Sequence, residues 1–183
     1  MRGPFAGTDP VVRRRLFGRS LALNLVAGAV MLWVARPMRA RGYDIVPFEI
    51  AGDAETVDRI VEAWGPEGVR AARVQTWMDM GYLVSYAVPT AAGCAIVADA
   101  ARSADRHLVA GVGAALGWGT IVAAGCDAVE NASMLAELSG HRGRLPALAR
   151  RCALVKFGLL GPAVAYAAVG TGALAVARRR AAG

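Results

Sequence analysis

The sequence predicts an all-α membrane protein: an antiparallel bundle of four transmembrane helices with a small extramembrane cap between the first two. Three observations carry that expectation. Mean hydropathy is +0.40, 56% of residues are hydrophobic and only 19% are charged, which is too apolar for an ordinary soluble domain. The apolar residues fall in four blocks, roughly 16–35, 76–100, 108–127 and 152–177, each near or above the about 20 helical residues that cross a hydrocarbon core. The last three blocks are joined by short links, "RSADRH" and "SGHRGRLPALARR", which favours antiparallel neighbours. Residues 1–183 are expected to form one membrane domain, with helices about 16–36, 74–101, 108–138 and 152–177 and a cap over 37–72.

The first element follows a basic segment in "RRRLFGRSLALNLVAGAVMLWVA". Arg14, Arg15, Leu16 and Phe17 are reminiscent of a twin-arginine signal. With three further apolar blocks downstream and only a poor cleavage candidate around "RPMRARG", the stretch reads as a first membrane anchor. The cap opens with "DIVPFEIA", short and β-like, and continues with "DAETVDRIVEAWG", a helix capped by Asp53 and ended at Gly65-Pro66. Ile50, Val57, Ile60, Val61 and Trp64 make an apolar stripe that should lie on the membrane surface or cover the bundle. Pro89 and Pro162 are expected to kink the second and fourth spans. Gly113 and Gly117 in the third span, with Gly158, Gly161, Gly170 and Gly172 in the fourth, let backbones approach closely in lipid.

The net charge of +7 comes from 21 Lys and Arg against 14 acids. Most of the arginines flank apolar blocks, as in Arg13 to Arg15, Arg150, Arg151 and Arg178 to Arg180. That is interfacial anchoring, and no basic stripe with interleaved aromatics points to nucleic acid. The partners implied are membrane lipid or a hydrophobic small molecule, with homo-oligomerisation open. The positive-inside count divides almost evenly between the two sides. The unopposed Arg13 to Arg15 cluster tips the expectation toward cytoplasmic termini in the cell membrane. Cys94, Cys126 and Cys152 show no CxxC pairing and read as packing residues, and His107 and His141 fall in different loops, against a histidine metal site.

The chemistry-bearing residues lie inside the spans. Asp127, Glu130 and Asn131 stand at i, i+3 and i+4 on one helical face, and Gln75, Asp79, Tyr82 and Tyr86 at i, i+4, i+7 and i+11 on another. In a hairpin turning near residue 104, residue 79 lies level with 129. The same reflection about residue 145 sets Lys156, the one lysine in the chain, level with 134, a turn from Glu130. A compact ammonium where arginine is otherwise used suggests a specific requirement. The competing expectation is that Arg73, Glu137 and Lys156, near helix ends, are solvated by headgroups or snorkel. Acids facing a bundle interior cannot all be ionised and unpaired. An acid beside a carboxylate can donate a proton, pass one on, or let Asp79, Asp127 and Glu130 hold a divalent cation through oxygen ligands.

"FEIAG" (Phe48 to Gly52), Trp64, Asp79 with Tyr86, and "DAVEN" (Asp127 to Asn131) together resemble a family of small bacterial four-helix integral membrane proteins. The resemblance covers roughly residues 44 to 135, with DxxEN its most specific part, and "DMGYLVSY" stands where the family pattern has a more aromatic run. It implies the four-helix architecture and a site, without a reaction.

Three functions compete. The first is an enzyme acting on a lipid-like or isoprenoid substrate. In it Asp79, Asp127 and Glu130 do acid/base or cation-assisted work, Asn131 orients them, and Gln75, Tyr82, Tyr86 and Lys156 contact the substrate. The second is a proton- or cation-coupled carrier or channel subunit, and the third a structural or accessory protein with the polar cluster as interhelical glue. No Walker loop, GxSxG or HExxH motif is present, which leaves the reaction type open.

Overall fold

A computed structural model describes residues 2–182, and among them the only regular elements are helices. In chain order they are α1 (Pro10–Val34), α2 (Arg36–Arg39), α3 (Ile45–Glu49), α4 (Ala54–Ser103), α5 (His107–Leu138) and α6 (Leu145–Ala182). Helices α1, α4, α5 and α6 are each long and apolar enough to cross a membrane. The chain is a multi-pass membrane protein built on an all-α four-helix bundle.

Local chemistry sets the helix ends. Asp9 accepts hydrogen bonds from the Val11 and Val12 N–H groups and starts α1, ahead of the predicted boundary. Asp53 caps α4, accepting from the Thr56 N–H at 2.8 Å and the Thr56 hydroxyl at 3.0 Å. Those two bonds hold its carboxyl below the usual range. Helix α4 has 50 residues in two helical segments joined at a kink, and the longer, from Pro66 to Ser103, alone runs about 57 Å at 1.5 Å per residue, against a hydrocarbon core of about 30 Å. Its first turns therefore lie beyond the core. The chain breaks at Gly65 (φ 59°, ψ −174°), a backbone setting that a Cβ would disfavour. Helix resumes at once, because Pro66 needs no N–H partner in a first turn. Pro89 and Pro162 are likewise helical.

The "DIVPFEIA" stretch is helix α3, not a strand. Its β-branched residues suggest extended backbone, but Asp44 caps Ile45 N–H at 2.7 Å, and Pro47 falls in the first turn, where a missing N–H costs nothing. Helix α6 starts at Leu145 rather than near 152. Hydropathy reads "LPALARR" as loop, whereas a proline in a first turn favours helix.

Contacts divide the chain into two compact units. The first holds residues up to Leu23, Ser85–Ala123 and the chain from Phe157 on. Its core is small: Cys94, Ala163 and Ala167, with Leu116 and Tyr166 against them. A Cβ on Gly113 would collide with Tyr166 and one on Gly170 with Val97, so these glycines admit close helix approach. Arg13, expected among headgroups, is instead buried and paired with Asp99, and it donates to the Phe5 carbonyl at 3.0 Å.

The second unit comprises Asn24–Val84 and Ala124–Lys156. Its apolar core joins the cap (Met38, Phe48, Val57, Ile60, Trp64) to Met134 and Leu138 of α5 and Ala149 of α6. The cap therefore covers the bundle rather than lying flat on a membrane surface, and Ile50 of the predicted stripe faces outward. Trp64 is fully buried, packs against Phe48 with ring centroids 5.2 Å apart and the rings tilted by 40°, and donates its Nε1–H to the Tyr43 carbonyl at 2.9 Å.

A buried carboxyl and lysine cluster as candidate functional site

Two tight turns set the levels of the site. The turn between Ser103 and His107 is centred on Asp105, which puts residue 79 level with Asn131. Asn131 Nδ2 donates to Asp79 Oδ2 at 3.0 Å. Helix α5 ends at Gly140 (φ 92°), with Gly140 N–H on the Glu137 carbonyl at 2.9 Å and His141 N–H on that of Ala136 at 3.0 Å, a left-handed stop that glycine tolerates. Because α6 begins at Leu145, Lys156 lies level with Asp127, deeper than the predicted level of 134. Lys156 Nζ donates to Asp127 Oδ1 at 3.0 Å and to Glu130 Oε1 at 2.8 Å.

These groups are sealed. Asp127 and Asn131 are 1% exposed, Glu130 0% and Lys156 5%, so Lys156 does not snorkel. Glu137 is 1% exposed, against the expectation of a headgroup-solvated acid, and both its oxygens lack hydrogen-bond partners. Arg73 donates to the Leu138 carbonyl at 2.8 Å and so caps the end of α5. Gln75 is buried with Oε1 unpartnered. Tyr82 is half-buried, and its Oη lies 3.3 Å from where a Cβ on Gly28 would stand, which brings α1 against it. Tyr86 is buried and belongs to the first unit.

A further acid joins the cluster from the cap. Glu49, at the end of α3, is 7% exposed, and its Oε2 lies 3.6 Å from Lys156 Nζ. Burial holds its carboxyl above the ordinary value of 4.5, with the Lys156 ammonium opposing and the Asp127 charge reinforcing. Glu49 lies within the FEIAG stretch of the resemblance, but reading that stretch as a strand leaves its side chain without a place in the site. Gly52 (φ 79°) turns the chain from α3 into α4, and a Cβ there would fall 2.7 Å from Arg150 Cδ.

Among the described residues no group of three or more His, Cys, Asp or Glu is placed to hold a metal ion. Between Asp127 and Glu130 the cation is the Lys156 ammonium itself. The arrangement can hold carboxylates in fixed orientation and store protons in a buried interior. Comparison with known protein families, curated proteins and solved structures finds no match to this chain.

Proposed function

We propose that the cluster is the acid/base centre of a membrane-embedded enzyme acting on a lipid-like or isoprenoid substrate. The observation that carries this reading is the surplus of acid: Lys156 contacts Asp127, Glu130 and Glu49, and Asp79 is tied to the same group through Asn131. Interhelical glue needs one acid per base, and a buried ion pair is at best a weak source of stability. Carboxyls beyond that number are costly unless they are used. In this reading Lys156 holds Asp127 and Glu130 in orientation, Asn131 orients Asp79, and Gln75 and Tyr82 contact the substrate. An amphiphile suits the site because the helices that carry it are apolar on their outer surfaces, as at Trp77, Val84, Val129 and Val155.

The test is the lipid profile of a deletion strain complemented with wild type, Asp127→Asn or Glu130→Gln. Wild type should restore a missing or accumulated lipid, and the amide variants should not, although both reach the membrane folded. Restoration by both amide variants would leave the cluster as glue and sink the proposal.

A further inference from the structure

Two buried carboxyl oxygens beside Lys156 accept no hydrogen bond: Glu49 Oε2 and Glu130 Oε2. The two side chains come from different elements, the cap helix α3 and the spanning helix α5, and converge on one ammonium, at 3.6 Å from Glu49 Oε2 and 2.8 Å from Glu130 Oε1. Both residues are more than nine-tenths buried, at 7% and 0% exposure. Two buried carboxylates that converge on one ammonium repel each other unless a proton lies between them, and then they behave as one acid. A carboxylate only accepts hydrogen bonds, whereas a protonated carboxyl also donates one. A single proton therefore satisfies both orphaned oxygens and removes one negative charge.

We propose that Glu49 and Glu130 share one proton beside the Lys156 ammonium, the Glu49 carboxyl donating to Glu130 Oε2, so that the cap supplies the acid of the site. The remaining charged neighbours agree with that assignment. Asp127 takes a hydrogen bond from Lys156, and Asp79 takes one from Asn131. The elevated proton affinity of Glu49, caused first by its burial, points the same way. Packing holds the donor in place: the adjacent Phe48 is 1% exposed against Trp64, and the Asp44 cap and the turn at Gly52 hold the two ends of α3. Glu49 is thus a proton-bearing residue positioned by the cap core. The inference rests on reading the cluster as an acid/base centre, but its test needs no substrate.

Infrared spectra of the purified protein in lipid nanodiscs at neutral pH read the protonated carboxyl directly, through its carbonyl stretch and the shift of that band in D2O. The expected result is a band removed by Glu49→Gln and equally by Glu130→Gln, and retained in Asp79→Asn and Glu137→Gln. A band that survives either of the first two substitutions, or none in wild type, overturns the shared proton. Should Glu130→Gln fail to fold, Glu49→Asp keeps the carboxyl but shortens its reach, and an unchanged band in that variant would equally overturn it. An unaltered lipid profile in the deletion strain would remove the enzyme reading and leave this result standing.

Discussion

In the unit that contains Arg13, one carboxylate meets two guanidiniums, since Asp99 takes hydrogen bonds from both Arg13 and Arg102. In the unit that contains Lys156, one ammonium meets three carboxyls. Asp99 and Arg102 are 35% and 42% exposed, so surplus charge there can be solvated. The three carboxyl side chains that pair with Lys156 are each less than 10% exposed, and surplus charge has no such outlet. The packing differs in the same sense, with small residues at Cys94, Ala163 and Ala167 in one unit and Phe48, Trp64 and Met134 in the other. Among the described residues the buried carboxyl oxygens without partners lie in the second unit, on Glu49, Glu130 and Glu137, whereas in the first the unpartnered buried atom is Arg13 Nε. Surplus charge that water can reach is tolerated in a structure; surplus carboxyls sealed from water call for a use.

The largest expected effect comes from removing the base. Lys156→Met leaves the acids buried without a counter-charge and should destabilise the protein by about 3–5 kcal/mol, read from unfolding in detergent. Lys156→Arg should also be damaging, because a planar guanidinium does not replace a compact ammonium. A silent Lys156→Met would erase the contrast between the units. Arg13→Ala breaks the other pair, and since Asp99 is partly solvated the cost should fall to about 1–3 kcal/mol. A loss equal to that of Lys156→Met would mean that both units depend on charge alike. Gly65→Ala forces a Cβ into left-handed backbone and should cost about 1–2 kcal/mol. Proteolysis should localise that damage to the cap and spare the first unit.

The smallest effect is a pH slope. Because the Glu49 carboxyl is held above its ordinary 4.5, the folded state binds more protons there than the unfolded state does. The contribution is present at low pH, and stability falls as pH rises from the ordinary value through the raised one. Glu49→Gln should flatten that part of the melting-temperature profile, and an unaltered profile would show that Glu49 is not burdened by its burial.

Much of the bundle was legible because its signals are local. Four apolar blocks announced four spans, and helical spacing put Asp127, Glu130 and Asn131 on one face. The reflection about residue 104 came within two residues of the observed pairing of Asp79 with Asn131. Lys156 was placed less well, because the start of α6 rests on Pro146 chemistry that hydropathy does not register. Glu49 stands in the FEIAG stretch of the resemblance, but a strand assignment that follows β-branched residues and overlooks the Asp44 cap gives it no place in the site.

By itself the sequence determined the four spans and the shared faces and approximate depth of Asp79, Asp127, Glu130 and Asn131, since period, rise and turn length depend only on residues near one another along the chain. Tertiary structure alone decided which charges meet. Whether Arg13 finds a headgroup or Asp99, whether Lys156 snorkels or turns inward, and whether Glu49 faces water or the cluster depend on partners distant in sequence. In a low-dielectric interior each such choice is fixed by the counter-charge that arrives from another helix.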